Sequence, residues 1–402
     1  MSSGRILILT NRVPFPLNDG GNLAMKAMVD GYNANGWDVF LLSMNTKRHY
    51  VPATTLATIY RNTVAFETVD IDNSVRLVPL LTNFFFSKEP EHAVRFNDKA
   101  FAKKLSEVLA TFKPDVVQVE SLYLSAYMPV IRQYKSIKTV LRLHNVEYQV
   151  WQRLAEETAN DLKKLYLHNL AKRIKHFEER IWKEYDLLLP ITHNDEGMVK
   201  QMVADAPTYV VPFGIDTKKI FQPKGVEDWT GYHIGAMDWL PNREGIEWFL
   251  EEAWPLIRKQ VPDFTFAFAG RNMPQSFPDM HIDGVACAGE VPDAEAFIAD
   301  KKMLIVPIRS GGGIRVKILE AMAAGKVVIS TAVGMQGIDA EEGKHYLKAD
   351  TAITFAEAVK WCMEHKAEAE RMGEEAKKLI INHYNLSVIA QGLSEKLLGL
   401  KG

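Results

Sequence analysis

Residues 310–330 read Ser310-Gly-Gly-Gly-Ile-Arg-Val-Lys-Ile-Leu-Glu-Ala-Met-Ala-Ala-Gly325 and then Lys-Val-Val-Ile-Ser330. An apolar segment from Met303 to Pro307 comes before the glycines, so the pattern predicts a strand, a glycine-rich turn, a helix and a second buried strand. A glycine-rich turn that leads into a helix exposes main-chain N–H groups at the positive end of the helix dipole. This arrangement predicts a phosphate-binding site.

Two charged side chains on the predicted helix extend this interpretation. Lys317 and Glu320 are three residues apart, a spacing that puts both side chains on one helical face. A lysine suits a diphosphate, and a carboxylate accepts hydrogen bonds from the paired hydroxyls of a ribose. The segment therefore predicts a site for a nucleoside diphosphate linked to a polar group.

Short apolar strands alternate with helical patterns along the whole chain. Buried runs separated by helix-length segments indicate βαβ units and parallel sheets. Two such series predict an α/β protein with two doubly wound domains, which bind ligand beyond the carboxyl ends of their strands. We predict strands at 5–10, 39–43, 116–120, 139–144, 187–190, 209–212, 232–237, 265–270, 284–289, 303–307 and 327–330.

Composition excludes several classes of protein. A length of 402 residues fits two domains, and a net charge of −2 argues against bulk capture of nucleic acid. Cys287 and Cys362 are too few for a disulfide framework or a thiolate metal site. No apolar run approaches the roughly 18 residues of a membrane span. We expect a cytoplasmic protein, with peripheral contact at the inner face of the membrane left open.

The segment that ends at Gly325 resembles the donor-binding segment of retaining glycosyltransferases of family four, the glycosyl transferases group 1, which have the GT-B fold. Most members carry two glutamates eight positions apart, whereas this chain has Gly312 eight positions before Glu320. It matches instead a subgroup with Gly-Gly-Gly-x-Arg-x-Lys-x-x-Glu. Because the first glutamate of the common form lies against the transferred sugar, this departure concerns recognition of the sugar.

The resemblance implies a domain organisation. It predicts two Rossmann-like domains that face each other across a cleft, with the acceptor side in residues 1–205. Residues 206–381 would bind the nucleotide sugar, and residues 382–402 would form a helix that returns to the first domain. A helix packed on its own domain is the alternative for this last segment.

Two motifs in the first half resemble other parts of the family. The segment from Pro14 to Gly21 resembles a Pro-x-x-x-Gly-Gly loop that lies beside the donor phosphates, where Gly20 and Gly21 let the main chain approach the ligand. An ordinary strand–helix turn is the alternative. His144, in the sequence His-Asn-x-Glu, resembles a histidine that contacts the donor sugar. A packed structural histidine is the alternative there.

The segment after Gly235 departs from the common pattern again. Many members have an arginine and a lysine here that grip the diphosphate, but this chain has Met-Asp-Trp-x-Pro-Asn, and Asn242 aligns with the missing lysine. The positive charge must then come from Arg271, Arg315 or Lys317. By resemblance, Glu290 and the main chain around Val291 belong to a loop that contacts the nucleobase.

Together these features predict a metal-independent glycosyltransferase without a cofactor. It would transfer a hexose with retention from a nucleoside diphosphate sugar to a hydroxyl of a saccharide or lipid-linked acceptor, in polysaccharide or glycoconjugate synthesis. The predicted catalytic residues are His144, Lys317 and Glu320. The predicted donor-binding residues are Gly20, Gly21, Asp238, Arg271, Glu290, Val291, Gly311, Gly312, Gly313, Ile314 and Arg315.

Three alternatives concern the activity. A nucleotide-sugar epimerase on the same fold, or a non-catalytic protein that binds sugar nucleotides, would share these motifs. A nicotinamide oxidoreductase is disfavoured, because residues 18–23 read Asn-Asp-Gly-Gly-Asn-Leu and lack the Gly-x-Gly-x-x-Gly signature.

Two surface features leave further alternatives. The aromatic segment from Leu80 to Pro90 predicts either core packing or contact with an apolar, lipid-linked acceptor. A long helical pattern from Asp161 to Glu184 carries many lysines and arginines among glutamates. It predicts a solvated surface, or a contact with anionic lipid.

Overall fold

The computed structural model describes residues 3–16, 20–52, 54–55, 64–74, 90–158, 160–217, 228–311 and 313–401, without the side chains of residues 48, 92, 157 and 162. The chain forms two compact units, one of Met1–Gly214 with Leu386–Gly402 and one of Ile215–Asn385. The first unit ends at Gly214 and the second at Asn385, whereas the predicted limits were 205 and 381. Each unit has a parallel sheet with helices, so the predicted α/β class is confirmed.

The first unit is built on a six-stranded parallel sheet with the order β3-β2-β1-β4-β5-β6. This order reverses direction between β1 and β4, as in doubly wound nucleotide-binding domains. The core strands are buried on both faces, which explains their nearly continuous apolar sequence. The strands are β1 (Gly4–Thr10), β2 (Trp37–Thr46), β3 (Ala65–Ile71), β4 (Val116–Val119), β5 (Lys138–Leu143) and β6 (Leu187–Pro190).

Helices cover both faces of this sheet. They are α1 (Gly20–Ala34), α2 (Glu91–Arg95), α3 (Lys99–Phe112), α4 (Met128–Ile131), α5 (Glu147–Glu157), α6 (Asp161–Trp182) and α7 (His193–Met202), with 3₁₀ turns at Lys47–His49 and Leu122–Tyr127. Helix α3 shows why they form where they do. The Asp98 side chain accepts from the N–H groups of Ala100 and Phe101 at its start, and Lys113 ends it with a φ of 50°.

The second unit repeats the topology of the first. Its six strands have the order β12-β11-β10-β7-β8-β9, which is the order of the first sheet read from the other edge, with β7 in the place of β1. The strands are β7 (Asp228–Ile234), β8 (Phe266–Ala269), β9 (Val285–Cys287), β10 (Lys301–Val306), β11 (Val327–Ser330) and β12 (Leu347–Lys348). The helices are α8 (Leu240–Trp248), a π-helical turn (Phe249–Ala253), α9 (Trp254–Gln260), α10 (Ala294–Ile298), α11 (Val316–Ala323), α12 (Ala352–Glu364) and α13 (Lys366–His383).

The last helix, α14 (Leu386–Lys401), belongs to the first unit. Its buried face carries Ile389, Leu393 and Leu397, which join a core cluster with residues of β1, β2 and α1. The indole N–H of Trp37 donates to Ser394 Oγ at 2.7 Å. The apolar spacing of the tail therefore corresponds to a helix whose stripe fills a groove of the first unit.

The strand predictions had three errors. Residues 209–212 form no strand, although the N–H groups of Tyr209 and Val211 donate to the carbonyls of Leu188 and Pro190. Strands Ala65–Ile71 and Leu347–Lys348 were missed. The first is largely half-exposed and its apolar residues are interrupted by Glu67, Thr68 and Asp70, and the second is two residues long. Neither therefore has the continuous apolar run by which we recognised buried strands.

Two further features of the sequence, the aromatic segment and the lack of long apolar runs, are compared with the described residues. The aromatic segment Leu80–Pro90 lies outside the described residues except for Pro90. No helix in the described part of the chain is long and apolar enough to cross a membrane.

Candidate functional site

The predicted residues of the second unit gather at the carboxyl edge of its sheet. Strands β7 and β10 are neighbours, and the strand order reverses between them. The segment 235–239 follows β7, and the glycine-rich segment 311–315 follows β10 and leads into α11. This is where doubly wound sheets form a ligand crevice, because the two connections diverge to opposite faces.

The amino group of Lys317 is held by two side chains at this edge. Its Nζ donates to Asn242 Oδ1 at 2.9 Å and to His233 Nε2 at 3.0 Å. Burial lowers the pKa of Lys317 to about 7, and the nearby Arg315 guanidinium acts in the same direction. Because neither contact is a carboxylate, the lysine keeps its capacity to bind an anion.

The His233 ring fixes one of these contacts. Its Nδ1 lies 2.8 Å from the carbonyl oxygen of Ile305, which can only accept, so Nδ1 carries the proton and Nε2 accepts from Lys317. Burial, together with the charge of Lys317, lowers the pKa of His233 well below its ordinary value. We did not predict this residue, because a histidine inside a buried strand carries no sequence signal of its partner.

Gly235 leaves the space that Lys317 occupies. A Cβ on Gly235 would lie 2.6 Å from Lys317 Nζ and 2.6 Å from Asn242 Nδ2. Asn242 Nδ2 donates to the carbonyl of Ala236 at 2.9 Å, which orients the amide so that its oxygen faces the lysine. Asn242 aligns in sequence with the lysine that the resemblance implies, and its side-chain oxygen holds the amino group of Lys317.

Arg315 has a different role from Lys317 in this structure. Its buried guanidinium donates to the carbonyls of Gly313 and, at 3.1 Å, Gly311, and it lies 5.1 Å from the centre of the Trp239 ring. Burial lowers its pKa to about 10. Gly311 and Gly313 have φ values of +94° and +83°, a region that strongly favours glycine. Arg315 therefore braces the glycine-rich turn with donors that we had assigned to a ligand.

Glu320 lies one turn after Lys317 on α11, with an exposed side chain. The two side chains form no ion pair, and within the described residues no donor hydrogen-bonds to the Glu320 carboxylate. Partial desolvation, followed by repulsion from Glu295, raises its pKa. Ile314 is half-buried beside this helix start, and Gly312 lies outside the described residues.

The other predicted donor-binding residues follow the neighbouring strands at the same edge. Asp238, Arg271 and Glu290 are exposed after β7, β8 and β9, and Val291 is half-buried. Main-chain bonds join their loops, because Met237 N donates to the carbonyl of Arg271 at 2.9 Å and Gly270 N to that of Gly289 at 2.8 Å. The second unit therefore brings all of its described predicted residues to one edge.

In the first unit, the glycine pair lies differently from our prediction. Gly20 begins α1 and Gly21 is its second residue, so the pair forms the first turn of the helix and no loop before it. Gly20 has open space around the position of a Cβ. The Asn22 amide donates to the carbonyl of Pro16 at 2.8 Å and ties this turn to the preceding segment.

His144 follows β5 and contacts a buried carboxylate. Its Nε2 lies 2.8 Å from Glu120 Oε2, at the end of β4, and Arg142 Nε lies 3.9 Å from the same oxygen. Burial alone would raise the pKa of Glu120, but the hydrogen bond from His144 and the charge of Arg142 hold it below its ordinary value. The carboxylate also accepts from Gln118. We had not predicted Glu120 as part of the site.

A pocket of about 670 Å³ opens beside this pair. It is lined by residues of the first unit alone, including Arg12, Gly21, Glu120, Arg142 and His144. In the described ranges, no three His, Cys, Asp or Glu side chains are grouped to hold a metal ion.

Residues 230–365 match the family described as Glycosyl transferases group 1. This range contains every predicted residue of the second unit. An uncharacterized 44.6 kDa protein in the cps region of Klebsiella pneumoniae is 20% identical over 373 residues, which cover 88% of this chain and 90% of that protein. The match to this family lies within the second unit.

Solved structures give the fold of the whole chain. Sucrose-phosphate synthase from Thermosynechococcus elongatus has a TM-score of 0.67 at 16% identity, over 98% of this chain and 99% of that one. HepE from Anabaena in complex with UDP has a TM-score of 0.67 at 12% identity, over 98% and 100%. The protein has the GT-B fold, which confirms the predicted architecture.

Proposed function

We propose that this protein is a glycosyltransferase that moves a hexose from a nucleoside diphosphate sugar to an acceptor hydroxyl with retention of configuration. One observation carries the proposal: Lys317 is clamped by His233 and Asn242 on the helix that also presents the free carboxylate of Glu320. In this assignment the lysine meets the diphosphate and the glutamate accepts from the ribose hydroxyls.

The electrostatics support departure of a diphosphate. Bond cleavage between sugar and phosphate builds negative charge on the leaving group, and prearranged donors stabilise such charge. Lys317 supplies a cation, and the start of α11 after the glycine-rich turn supplies main-chain donors. These groups fit a reaction that needs no metal ion and no cofactor. Retention, and the contact of His144 with the donor sugar, follow from the family resemblance.

The relatives suggest substrates to test first. The solved structure of HepE contains UDP, so UDP-sugars are the first donors to try. The Klebsiella pneumoniae relative is described as lying in a cps region, which favours polysaccharide or glycoconjugate synthesis and a saccharide or lipid-linked acceptor.

The proposal is tested first by thermal unfolding with UDP-, GDP-, ADP- and dTDP-sugars, because a ligand that binds the folded state raises the unfolding temperature by mass action. Nucleoside diphosphate release from the stabilising donor is then measured with and without candidate acceptors. We expect release that acceptor accelerates, and loss of this release in Lys317→Met.

The exposed Lys360→Met variant on α12 is the matched control and should keep wild-type release. Conversion of the donor sugar without any acceptor would indicate an epimerase. Donor binding without any release, even slow hydrolysis, would indicate a non-catalytic binding protein. Either result contradicts the proposed transferase.

A further inference from the structure

The pocket of the first unit is large enough for a ligand of its own. Its volume of about 670 Å³ lies within the roughly 300–1,000 Å³ typical of small-molecule sites. It is bounded by the carboxyl ends of β1, β4 and β5 and by the start of α1. In a doubly wound sheet this is the ligand crevice, because the strand order reverses between β1 and β4.

One buried cation in the wall of this pocket lacks hydrogen bonds. Arg142 is 2% exposed, and in the described part of the chain its Nε and Nη1 atoms have no hydrogen-bond partner. The nearest carboxylate oxygen, Oε2 of Glu120, is 3.9 Å from Nε, which is too long for a hydrogen bond. Buried polar groups in native proteins are almost always paired, so these donors point to a missing partner.

Glu120 is held in an orientation that leaves Arg142 Nε beyond hydrogen-bond distance, because contacts hold both of its oxygens. Oε1 accepts from the Gln118 amide, and Oε2 lies 2.8 Å from His144 Nε2. The Gln118 amide is oriented in turn, since its oxygen accepts from the buried hydroxyl of Tyr32. This chain of contacts fixes the carboxylate and leaves the Arg142 guanidinium to a ligand.

Cations outnumber carboxylates in the pocket lining, although Lys47 is paired with Asp72 and Arg95 with Glu91. The lining includes four cationic side chains, Arg12, Lys47, Arg95 and Arg142, and two carboxylates, Glu120 and Glu147. A guanidinium is a planar fork of donors that matches the two oxygens of a carboxylate or phosphate. The first turn of α1 borders the same space and adds the positive end of a helix dipole.

We propose that Arg142 binds an oxyanion of the acceptor, so that the protein glycosylates a saccharide or lipid-linked substrate that carries a carboxylate or phosphate group. This inference rests on the proposed transferase function. The acceptor is favoured because the pocket is lined by the first unit alone, whereas the family match covers residues 230–365. His144, which we assign to the donor sugar, borders the same pocket, and the acceptor hydroxyl must meet that sugar.

The test compares binding of three probes, inorganic phosphate, glucuronate and glucose, by thermal-shift titration of the full chain. We expect phosphate or glucuronate to stabilise the wild-type protein and glucose to have no effect at the same concentration. In Arg142→Lys the dissociation constant of the stabilising anion should rise about tenfold or more, because the charge stays and the fork of donors is lost.

Two further variants control for a general effect of replacing arginine and for misfolding caused by an unpaired buried charge. Arg132→Lys makes the same change at a partly exposed arginine of the first unit outside the pocket and should bind as the wild type does. The double variant Glu120→Gln/Arg142→Gln removes both buried charges together and should fold without binding the anion. A response to phosphate alone supports a phosphorylated acceptor, and a response to glucuronate supports an acidic sugar.

Three results would overturn the inference: no anion stabilises the wild type, the Arg142 variants bind the anion unchanged, or Arg142→Lys weakens binding of UDP as much as binding of the anion. The last would assign Arg142 to the donor. Failure of the transferase function is distinguishable, since it is seen as absent nucleotide release while anion binding persists. Donor turnover with wild-type anion affinity in Arg142→Lys would contradict this inference only.

Discussion

Lys317 lies on α11 but reaches the segment that follows β7. The segment after β7 lacks the arginine and lysine that the family resemblance implies there, yet the amino group of Lys317 donates to Asn242 in that segment. Arg315, two residues earlier, turns back onto its own loop. The two cations of one short segment thus have separate roles.

We expect Lys317→Ala to reduce turnover more than Arg315→Ala, and to reduce turnover more than ground-state donor affinity. The charge of Lys317 counts most when the bond to the diphosphate breaks, whereas Arg315 acts through the shape of the glycine-rich turn. The measurement is kcat for nucleoside diphosphate release, together with donor affinity, in both variants. A larger kcat loss for Arg315→Ala would contradict this assignment.

Donor binding should take up protons above neutral pH. In the protein without ligand, Lys317 has a pKa of about 7. A bound diphosphate favours the charged ammonium form and therefore raises this pKa. Affinity for UDP should therefore fall as the pH rises above about 7, because the ammonium ion must be re-formed on binding. Of the groups that face Lys317, His233 stays neutral and Arg315 stays charged in this range, and burial raises the pKa of Glu320.

This linkage is measured by isothermal titration calorimetry of UDP at pH 8 in two buffers of different ionisation enthalpy. The wild type should show net proton uptake, and Lys317→Met should show less. The exposed Lys360→Met variant should resemble the wild type. Identical uptake in all three proteins would exclude Lys317 as the group that titrates.

Glu320 should be the most damaging carboxylate to lose from the second unit. Glu320→Ala removes the acceptor of two hydroxyl hydrogen bonds, each worth about 1.5–3 kcal/mol when charge-assisted. Donor affinity should fall by roughly one to three orders of magnitude on that basis. The fold should persist because the side chain is exposed. Glu357→Ala, at an exposed position on α12, is the control, and wild-type donor affinity in Glu320→Ala would refute the ribose contact.

Helix α14 packs against elements that are remote from it in sequence. It begins directly after the second unit and returns to the first, where Ala390 lies against Gly31 of α1. No Cβ would fit on Gly31, since it would lie 2.7 Å from the Cβ of Ala390. Close approach of two helices at small residues gives this contact its specificity.

Leu393→Ala should lower the free energy of unfolding by about 2–5 kcal/mol, because it leaves a cavity in a fully buried part of the first unit. Leu398→Ala, on the same helix but 41% exposed, should change it by about 0.5 kcal/mol or less. Urea denaturation followed by circular dichroism measures both. Equal effects of the two substitutions would show that α14 does not pack as described.

The whole molecule contains one topology twice, and the same edge of each sheet carries the candidate functional residues. Lys317 and Glu320 lie at the switch point of the second sheet, and Glu120 and His144 lie at that of the first. The order 3-2-1-4-5-6 creates this place in any doubly wound sheet. The two units differ in the side chains that their loops place at this switch point.

Turnover should persist in excess EDTA. Positive charge at the leaving group is assigned to Lys317, Arg271 and the helix N-terminus, which no chelator removes. Nucleoside diphosphate release is measured after dialysis against EDTA, with dialysis against buffer as the control. Loss of release on chelation, with recovery on addition of Mg²⁺ or Mn²⁺, would refute the metal-free mechanism.

Local sequence patterns were sufficient for the fold class and for the candidate donor residues that the structure places at one edge of the second sheet. Buried parallel strands have nearly continuous apolar sequences, so β6 and β11 were predicted with correct limits. The glycine-rich turn and the spacing of Lys317 and Glu320 are likewise local, because a helix places residues three apart on one face. Such features depend on neighbours within a few positions.

The partners of these residues required the folded chain. His233 contacts Lys317, which is 84 residues away in sequence, and Glu120 contacts His144, which is 24 residues away. Local sequence periodicity does not predict either contact. Arg315 was assigned to a ligand because its sequence neighbours suggested it, whereas burial turned its donors onto the loop carbonyls. Tertiary packing decides which polar groups are paired and which remain free for a ligand, because burial makes every unpaired donor costly.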